Sequence, residues 1–194
     1  MAYNPEAVIL TADFNWVPLS IIRTGDHILG ADMIPRTVKR IEKYPIKYRR
    51  VFNFYNSPSF LFTEIDTLWA RDQDRQWWWV ENAPALQSSW KMSGWELHGL
   101  KVIDSMLVNY QVRYATINGW ESKKLIDITE KYDYDYETIF LYTDDYSPII
   151  VNGFVVNNGI SEYIYDYAQF DWNKYQPLIK EKLIEKNQLI FPYR

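Results

Sequence analysis

The segment Val151-Asn152-Gly153-Phe154-Val155-Val156-Asn157-Asn158-Gly159 carries the strongest local folding signal in the chain. An Asn-Gly step between β-forming residues is typical of a hairpin, because both residues tolerate the positive φ angles of a type I′ turn. We therefore predict two strands, Ile149–Val151 and Phe154–Val156, joined at Asn152-Gly153. The second strand then runs to Asn157-Asn158-Gly159, where an Asn side-chain amide lies beside an unshielded backbone N–H. Such a step is prone to cyclise onto the backbone, so this ending reflects either turn chemistry or a former cleavage site.

The composition is that of an ordinary globular domain. The 194 residues are 47% hydrophobic and 24% charged, which is sufficient for one domain with its own core. Aromatic residues make up 18% of the chain, including 16 Tyr and 9 Trp. Because aromatic side chains favour strands, we attribute this excess to a β-rich core; a dedicated aromatic binding surface is the alternative.

Charge and residue counts exclude several classes of function. The net charge is −4 and the pI is about 5.3, which argues against a nucleic-acid-binding protein, because such proteins usually present a basic surface. The absence of Cys excludes disulfides, thiolate zinc sites and cysteine nucleophiles. His27 and His98 are the only histidines, so we expect no metal site and no cofactor. No apolar run approaches the length of a membrane-spanning helix, so we expect no membrane partner.

Short apolar or alternating runs separated by turn residues extend from the start of the chain to Val156. They comprise, among others, the predicted strands Glu6–Thr11, Trp16–Leu19, His27–Leu29 and Arg36–Ile41 and the predicted turns Thr24–Asp26, Gly30–Asp32 and Asp144-Asp145. This pattern predicts an all-β domain over residues 1–158. After Gly159 the apolar residues take helical spacing, as in Leu178, Ile179, Leu183 and Ile184. We therefore predict a helical C-terminal arm over residues 159–194.

One segment, Lys39–Arg50, is locally basic and also contains Tyr44 and Tyr48. Cations interleaved with aromatic rings suit contacts with phosphates and bases, so nucleic-acid binding is one interpretation. The other interpretation is a solvated strand pair that carries its basic residues on the polar face. We favour the second, because the chain as a whole is acidic.

Several motifs follow one another in a characteristic order. They are an opening strand with its turn, a second strand, two turns that bracket a third strand, a Thr-x-x-Asp turn and the closing hairpin: Val8–Asp13, Trp16–Leu19, Thr24–Asp32, Thr63–Asp66 and Val151–Asn158. In this order the chain resembles the Hint family of inteins, hedgehog autoprocessing domains and their relatives, over about residues 2–158. The resemblance implies a compact, horseshoe-shaped all-β fold with pseudo-twofold halves. It also implies an acyl shift at the first residue of the domain, followed by cyclisation of a terminal Asn.

The resemblance also identifies which catalytic positions have changed. The nucleophile position falls at Ala2, which has no nucleophilic atom. The family's Thr-x-x-His turn keeps Thr63, but its His corresponds to Asp66. A carboxylate does not replace an imidazole near neutral pH unless its pKa is strongly raised. The penultimate His corresponds to Asn157, and the cyclising Asn is retained as Asn158.

These replacements predict a fold whose original reaction has been lost. Gly159 follows Asn158 where splicing needs Cys, Ser or Thr, so no acceptor is present. Met1 directly precedes Ala2, so we also expect no N-terminal flank to ligate. We therefore predict that the protein is not an enzyme and serves as a structural or interaction module among the protein subunits of an assembly, such as a phage virion. The alternative is residual self-cleavage at Asn158-Gly159.

Overall fold

The computed structural model of the chain describes residues 3–46, 49–53, 62–63, 66–71, 77–81, 100–101, 111–116, 119–124, 129–133, 136–145, 147–156 and 158. The predicted helical arm, residues 159–194, lies outside these ranges. Within them the chain forms fifteen strands and one 3-10 helix, Leu19–Ile21. The all-β class predicted from the alternating runs is therefore confirmed. The same residues contain no helix with the length and apolar character needed to cross a membrane.

The strands are numbered here in chain order. The first five are β1 (Val8–Leu10), β2 (Trp16–Pro18), β3 (His27–Leu29), β4 (Pro35–Ile46) and β5 (Arg49–Asn53). The next five are β6 (Phe62–Thr63), β7 (Thr67–Arg71), β8 (Trp77–Glu81), β9 (Leu100–Lys101) and β10 (Gln111–Thr116). The last five are β11 (Gly119–Lys124), β12 (Thr129–Asp133), β13 (Tyr136–Thr143), β14 (Ile149–Val151) and β15 (Phe154–Val156).

The closing hairpin has the bounds that its sequence predicts. β14 and β15 pair in antiparallel register, and the turn residues Asn152 and Gly153 have φ angles of 52° and 84°. Positive φ at both central positions is the signature of a type I′ turn, which matches the twist of the flanking strands. All six strand residues are buried, so the hairpin lies inside the domain.

Asn152 also connects the hairpin to the start of the chain. Its side-chain Oδ1 accepts a hydrogen bond from the backbone N of Val8 at 2.9 Å, and its own backbone N donates to the Val8 carbonyl at 2.8 Å. One strand residue further, Ile9 pairs with Val151. The amide therefore extends the β1–β14 pairing past the end of the strand.

The largest sheet contains nine described strands and has the closing hairpin near its middle. Its order is β2-β1-β14-β15-β10-β7-β8-β9, with β11 beside β10. β15 makes two further contacts, through Phe154 opposite Tyr114 in β10 and Val156 opposite Leu68 in β7. The described pairs are antiparallel except β8–β9, which is parallel. The hairpin thus joins the first strands of the chain to the strands of its central part.

A long two-stranded ribbon forms the rest of the framework. β4 pairs with β13 from Ile46 opposite Tyr136 to Val38 opposite Thr143, with a register irregularity just before Thr143. The next strand, β5, pairs with β12, the strand just before β13. The segment from β4 to β5 is therefore antiparallel to the segment from β12 to β13 over both strand pairs. β3 joins the ribbon on the free side of β4, and β6 joins β5.

One hydrophobic core draws residues from all three sheets. Its largest fully buried side chains are Tyr3, Phe52, Phe154, Ile9, Leu10, Leu19 and Ile28. Burial of each large apolar side chain contributes about 1.5–3 kcal/mol to stability. Since β1, β3, β5, β13 and β15 all contribute to this core, the sheets fold as one unit.

Candidate functional site

Tyr3 attaches the start of the described chain to β13. Its backbone N donates to the carbonyl of Ile139 at 3.0 Å, and the N of Ile139 donates to the Tyr3 carbonyl at 2.7 Å. These two bonds form an isolated antiparallel bridge. The Tyr3 side chain is fully buried, so its ring belongs to the domain interior. Nothing in the local sequence pattern identified Tyr3 as a site residue.

Asp66 lies directly before β7 and is also fully buried. Burial raises the pKa of the Tyr3 phenol well above its ordinary value, and the negative charge of Asp66 raises that pKa further. An anionic neighbour acts in this direction because it disfavours a phenolate beside it. Tyr3 and Asp66 therefore share one interior region.

Asn158 is held by Thr143. Its side-chain Nδ2 donates to the Thr143 hydroxyl oxygen at 3.3 Å. Both residues are nearly inaccessible, with 5% of Asn158 and 2% of Thr143 exposed. Thr143 is the last residue of β13, just after the irregularity in its pairing with β4. The side chain that the resemblance assigns to cyclisation therefore has a defined position.

These four residues are connected through the β15–β7 pair and through β13. Val156 is opposite Leu68 in the β15–β7 pair. Asn158 comes two residues after Val156, and Asp66 comes two residues before Leu68. Because the strands are antiparallel, both residues lie at the same end of the pair. β13 in turn carries both the backbone partner of Tyr3 and the hydroxyl that holds Asn158. We refer to Tyr3, Asp66, Thr143 and Asn158 as the interior site.

The interior site includes two of the five residues selected from the sequence. Asp66 and Asn158 come to the same end of one strand pair. Thr63 ends β6, where its backbone pairs with Val51 in a different sheet. Ala2 and Asn157 lie outside the described residues, so their assigned roles stay predictions. The structure adds Tyr3 and Thr143, whose positions depend on pairing with distant parts of the chain.

A second buried polar group surrounds Arg36, and we refer to Asp32, Arg36, Asp145 and Ser147 as the arginine cluster. Arg36 Nη2 lies 2.7 Å from Asp32 Oδ2, and its Nε lies 2.6 Å from Asp145 Oδ2. The Ser147 hydroxyl accepts from Arg36 Nη2 at 3.1 Å. Arg36 and Asp32 are 8% and 5% exposed. The cluster ties the turn before β4 to the segment between β13 and β14.

The arginine cluster affects the ionisation of Asp145. Partial burial would raise the pKa of its carboxyl group, but hydrogen bonds from Ser147 and the charge of Arg36 outweigh burial and lower the pKa. The adjoining turn needs a glycine at Gly30, because a Cβ there would lie 2.5 Å from Asp32 Oδ1. The Gly30–Asp32 motif is therefore explained by packing and turn geometry.

The basic segment Lys39–Arg50 lies on the β4–β5 side of the ribbon. The Arg40 guanidinium carbon is 4.1 Å from the centre of the Tyr142 ring, and Arg40 Nε is 3.3 Å from Glu42 Oε1. Arg40 therefore contacts a Tyr ring across the ribbon and a carboxylate on its own strand, which favours the interpretation as a solvated strand pair. Nucleic-acid binding by this segment stays an untested alternative.

Metal-binding side chains do not gather in the described part of the chain: no group of three or more His, Asp or Glu residues there has a suitable arrangement. The arginine cluster is an ion-pair network of one guanidinium and two carboxylates.

Solved inteins share this fold. The DnaB intein from Synechocystis sp. PCC 6803 matches 82% of this chain with 99% of its own length, at a TM-score of 0.55 and 12% identity. The bacterial intein-like domain from Clostridium thermocellum matches 81% of this chain with 98% of its own, at a TM-score of 0.55 and 14% identity. The TvoVMA intein matches 81% of this chain with 98% of its own length, at a TM-score of 0.54 and 13% identity. No protein-family model and no curated protein matches the sequence. The chain therefore has an intein-like β fold, as the order of its motifs predicted.

Proposed function

We propose that this intein-like domain does not splice and serves as a non-catalytic structural or interaction module in a multi-protein assembly, such as a phage virion. The observation that carries the proposal is the buried pair of Asp66 and Tyr3. Asp66 stands where the resemblance expects a histidine, and its side chain is fully buried beside the Tyr3 phenol.

The proton-transfer groups of the interior site support this proposal. Asn cyclisation needs a group that protonates the departing amine, and an imidazole does so because its pKa lies near neutral pH. The pKa of the Tyr3 phenol is raised well above its ordinary value, which makes it a poor acid. Asp66 supplies a carboxyl group, and not an imidazole, at the position where the resemblance expects a histidine. The Tyr3 phenol therefore does not replace the missing histidine at neutral pH.

The packing of the interior site also supports a structural role. Its four side chains are each 5% exposed or less. Asn158 Nδ2 is engaged by Thr143, and the backbone of Tyr3 is engaged by β13. Buried polar groups with such partners stabilise one arrangement of the chain ends. An interaction module requires one fixed conformation, and it does not require a catalytic reaction.

The assembly setting is supported by composition. Aromatic residues are enriched at the centres of protein interfaces, and this chain is 18% aromatic. Tyr is the commonest of them, with 16 residues, and it combines an apolar ring with a polar tip. We therefore propose protein subunits as the partners of the module.

Intact-mass measurement tests the absence of cleavage. We expect the purified chain to keep its full mass during prolonged incubation at neutral pH, with and without added thiol or hydroxylamine. The matched control is Asn158→Ala, which lacks the side-chain amide and should behave identically. Loss of a fragment comprising residues 159–194 from the parent chain, but not from Asn158→Ala, would contradict the proposal.

Residual self-cleavage is the second candidate, and the contact of Asn158 with Thr143 favours it. In this reaction Nδ2 attacks the backbone carbonyl carbon of Asn158, and the bond from that carbon to the Gly159 nitrogen breaks. The departing nitrogen gains a proton, which leaves a terminal succinimide on one fragment and a free amine on the other. The Thr143 hydroxyl accepts a hydrogen bond from the attacking nitrogen and so orients it.

Variants of Thr143 test this second candidate. If cleavage occurs, Thr143→Val should slow it by removing the acceptor, and Thr143→Ser should preserve its rate. The readout is the mass-spectrometric rate of release of residues 159–194. Equal rates in the two variants would exclude a positioning role for the hydroxyl.

A further inference from the structure

A cleft lies beside the β1–β2 loop and has no residue in common with the interior site or the arginine cluster. Its volume is about 430 Å³, and it is bounded by the loop at residues 11–15, by β2 and by residues 21–27. Pockets that hold small ligands or anchoring side chains have volumes of roughly 300–1,000 Å³. The cleft is therefore large enough for one long side chain and a neighbouring residue.

One wall of the cleft presents a fixed carboxylate. Asp13 accepts hydrogen bonds from the Thr11 hydroxyl through one oxygen and from the Asn15 side-chain amide through the other. The intervening Phe14 has a positive φ of 63° and a buried ring, which anchors the loop in the core. The direction of the Asp13 carboxylate is therefore determined before any partner binds.

A second carboxylate, that of Asp26, also lines the cleft. Asp26 Oδ2 accepts a hydrogen bond from the backbone N of Arg23 at 2.8 Å. The turn between them contains Gly25 at φ 95°, and the Gly25 N donates to the carbonyl of Val38 in β4 at 2.8 Å. The described lining thus contains two acidic residues, Asp13 and Asp26, and neither lysine nor arginine.

Apolar side chains complete the cleft. Val17, Ile21 and Ile22 line it. Ile21 is 59% exposed, the highest exposure among the large hydrophobic side chains in the described part of the chain. An aliphatic surface together with two carboxylates is complementary to a side chain with an apolar stem and a cationic end, which describes lysine and arginine.

We propose that this cleft docks a lysine or arginine side chain, together with an adjacent aliphatic residue, from a partner protein of the assembly. This inference rests on the proposed function as an interaction module and specifies the chemistry of the partner. The stem packs on Ile21 and Val17, and the cationic end pairs with the Asp13 and Asp26 carboxylates. A preformed acidic site of this kind selects partners by charge and by the length of the side chain.

The test measures binding of defined peptides to the full-length chain by the shifts of its backbone amide NMR signals. The probes are acetyl-isoleucyl-arginine amide and its charge-reversed counterpart acetyl-isoleucyl-glutamate amide. We expect saturable shifts at Ala12, Ile22 and His27 with the arginine peptide and none with the glutamate peptide. Asp26→Asn, which keeps the acceptor for the Arg23 N–H, should weaken binding by roughly 2- to 5-fold, the usual range for an exposed ion pair.

Matched variants outside the cleft are the controls. Ile21→Ser should weaken binding, whereas Ile34→Ser, at a residue that is 50% exposed elsewhere, should not. Glu6→Gln removes an exposed carboxylate outside the cleft and should also leave binding unchanged. The proposal would be overturned if both peptides bound equally, or if Ile21→Ser and Ile34→Ser had equal effects. It would also be overturned if free arginine amide bound as tightly as the arginine peptide.

Failure of this inference is distinguishable from failure of the proposed function. Cleavage at Asn158 with intact peptide binding would overturn the non-catalytic proposal and leave the cleft as a docking site. Absence of peptide binding in a chain that keeps its full mass would overturn the docking site alone.

Discussion

The arginine cluster, which is exposed at Asp145, and the buried interior site are two polar groups with different chemical construction. Each joins residues that are far apart in the sequence, and each includes a residue of the segment from β13 to the closing hairpin. The arginine cluster pairs a guanidinium with two carboxylates. The interior site instead sets a carboxylate beside a phenol and an amide beside a hydroxyl. The first arrangement is typical of a structural joint, whereas the second contains no cationic side chain and so has no ion pair between its four members.

The comparison predicts that the arginine cluster contributes more to stability than the interior site. Replacement Arg36→Leu should lower the free energy of unfolding by about 3–5 kcal/mol, because it leaves Asp32 buried without its counter-charge. Urea denaturation measures this loss. The control is Arg40→Leu, whose side chain is 60% exposed and should cost less than about 1 kcal/mol. Similar losses for the two variants would show that the arginine cluster has no special role.

In the interior site, Thr143→Val should lower the free energy of unfolding by about 1–3 kcal/mol, because it leaves the buried amide of Asn158 without its acceptor. Thr143→Ser keeps the hydroxyl and should cost less. Thermal and urea unfolding of both variants provide the measurement. If serine destabilises as much as valine, packing of the methyl group accounts for the loss and the hydrogen bond does not.

Alkaline pH should affect the interior site selectively. Because the folded pKa of Tyr3 is raised above its ordinary value of 10.0, its stabilising contribution is complete below that pH and is lost as pH rises toward the folded pKa. The slope for this one group is about 1.4 kcal/mol per pH unit at most. Stability measured against pH in Tyr3→Phe should lack this component of the decline. An unchanged alkaline profile in Tyr3→Phe would contradict the assignment.

Acidic pH should affect the arginine cluster, and by a smaller amount. The folded pKa of Asp145 is lowered, so its contribution is present above the ordinary value of 3.8 and is lost as pH falls through the folded pKa. The Asp145 side chain is 47% exposed, so solvent screening limits the effect to less than about 1 kcal/mol. Asp145→Asn should flatten the stability profile in this acidic range. If the free energy of unfolding of Asp145→Asn still falls with decreasing pH as in the parent chain, other carboxylates account for that decline.

The parts of the fold that were predictable from the sequence are those with local causes. Turn chemistry at Asn152-Gly153 determines the closing hairpin, and both of its strands have the predicted bounds. His27–Leu29 likewise lies between two turns and matches its prediction. The strand predicted at Arg36–Ile41 extends over Pro35–Ile46, because pairing with the distant β13 continues past the alternating residues. Local pattern therefore identified the strand, and long-range pairing determined its length.

The residues that were not predictable owe their roles to distant partners. Asp145 was expected to serve turn chemistry, and its Oδ1 does accept from the Ser147 N at 3.0 Å. Its ion pair with Arg36 spans 109 residues, and no local pattern indicates it. Tyr3 and Thr143 entered the interior site for the same reason. For the fold itself, the order of motifs supplied the long-range information that periodicity lacks.

The hydrogen bond from Val8 N to Asn152 Oδ1 has a consequence for the order in which the protein is made. The two residues are 144 positions apart, so the first strand leaves the ribosome long before its partner exists. At about 5–20 residues per second, the delay is roughly 7–29 seconds. Throughout that interval the edge of β1 that later meets β14 has no partner strand from its own sheet. Biogenesis of this domain is therefore expected to depend on chaperone occupancy more than that of a fold closed by neighbouring strands.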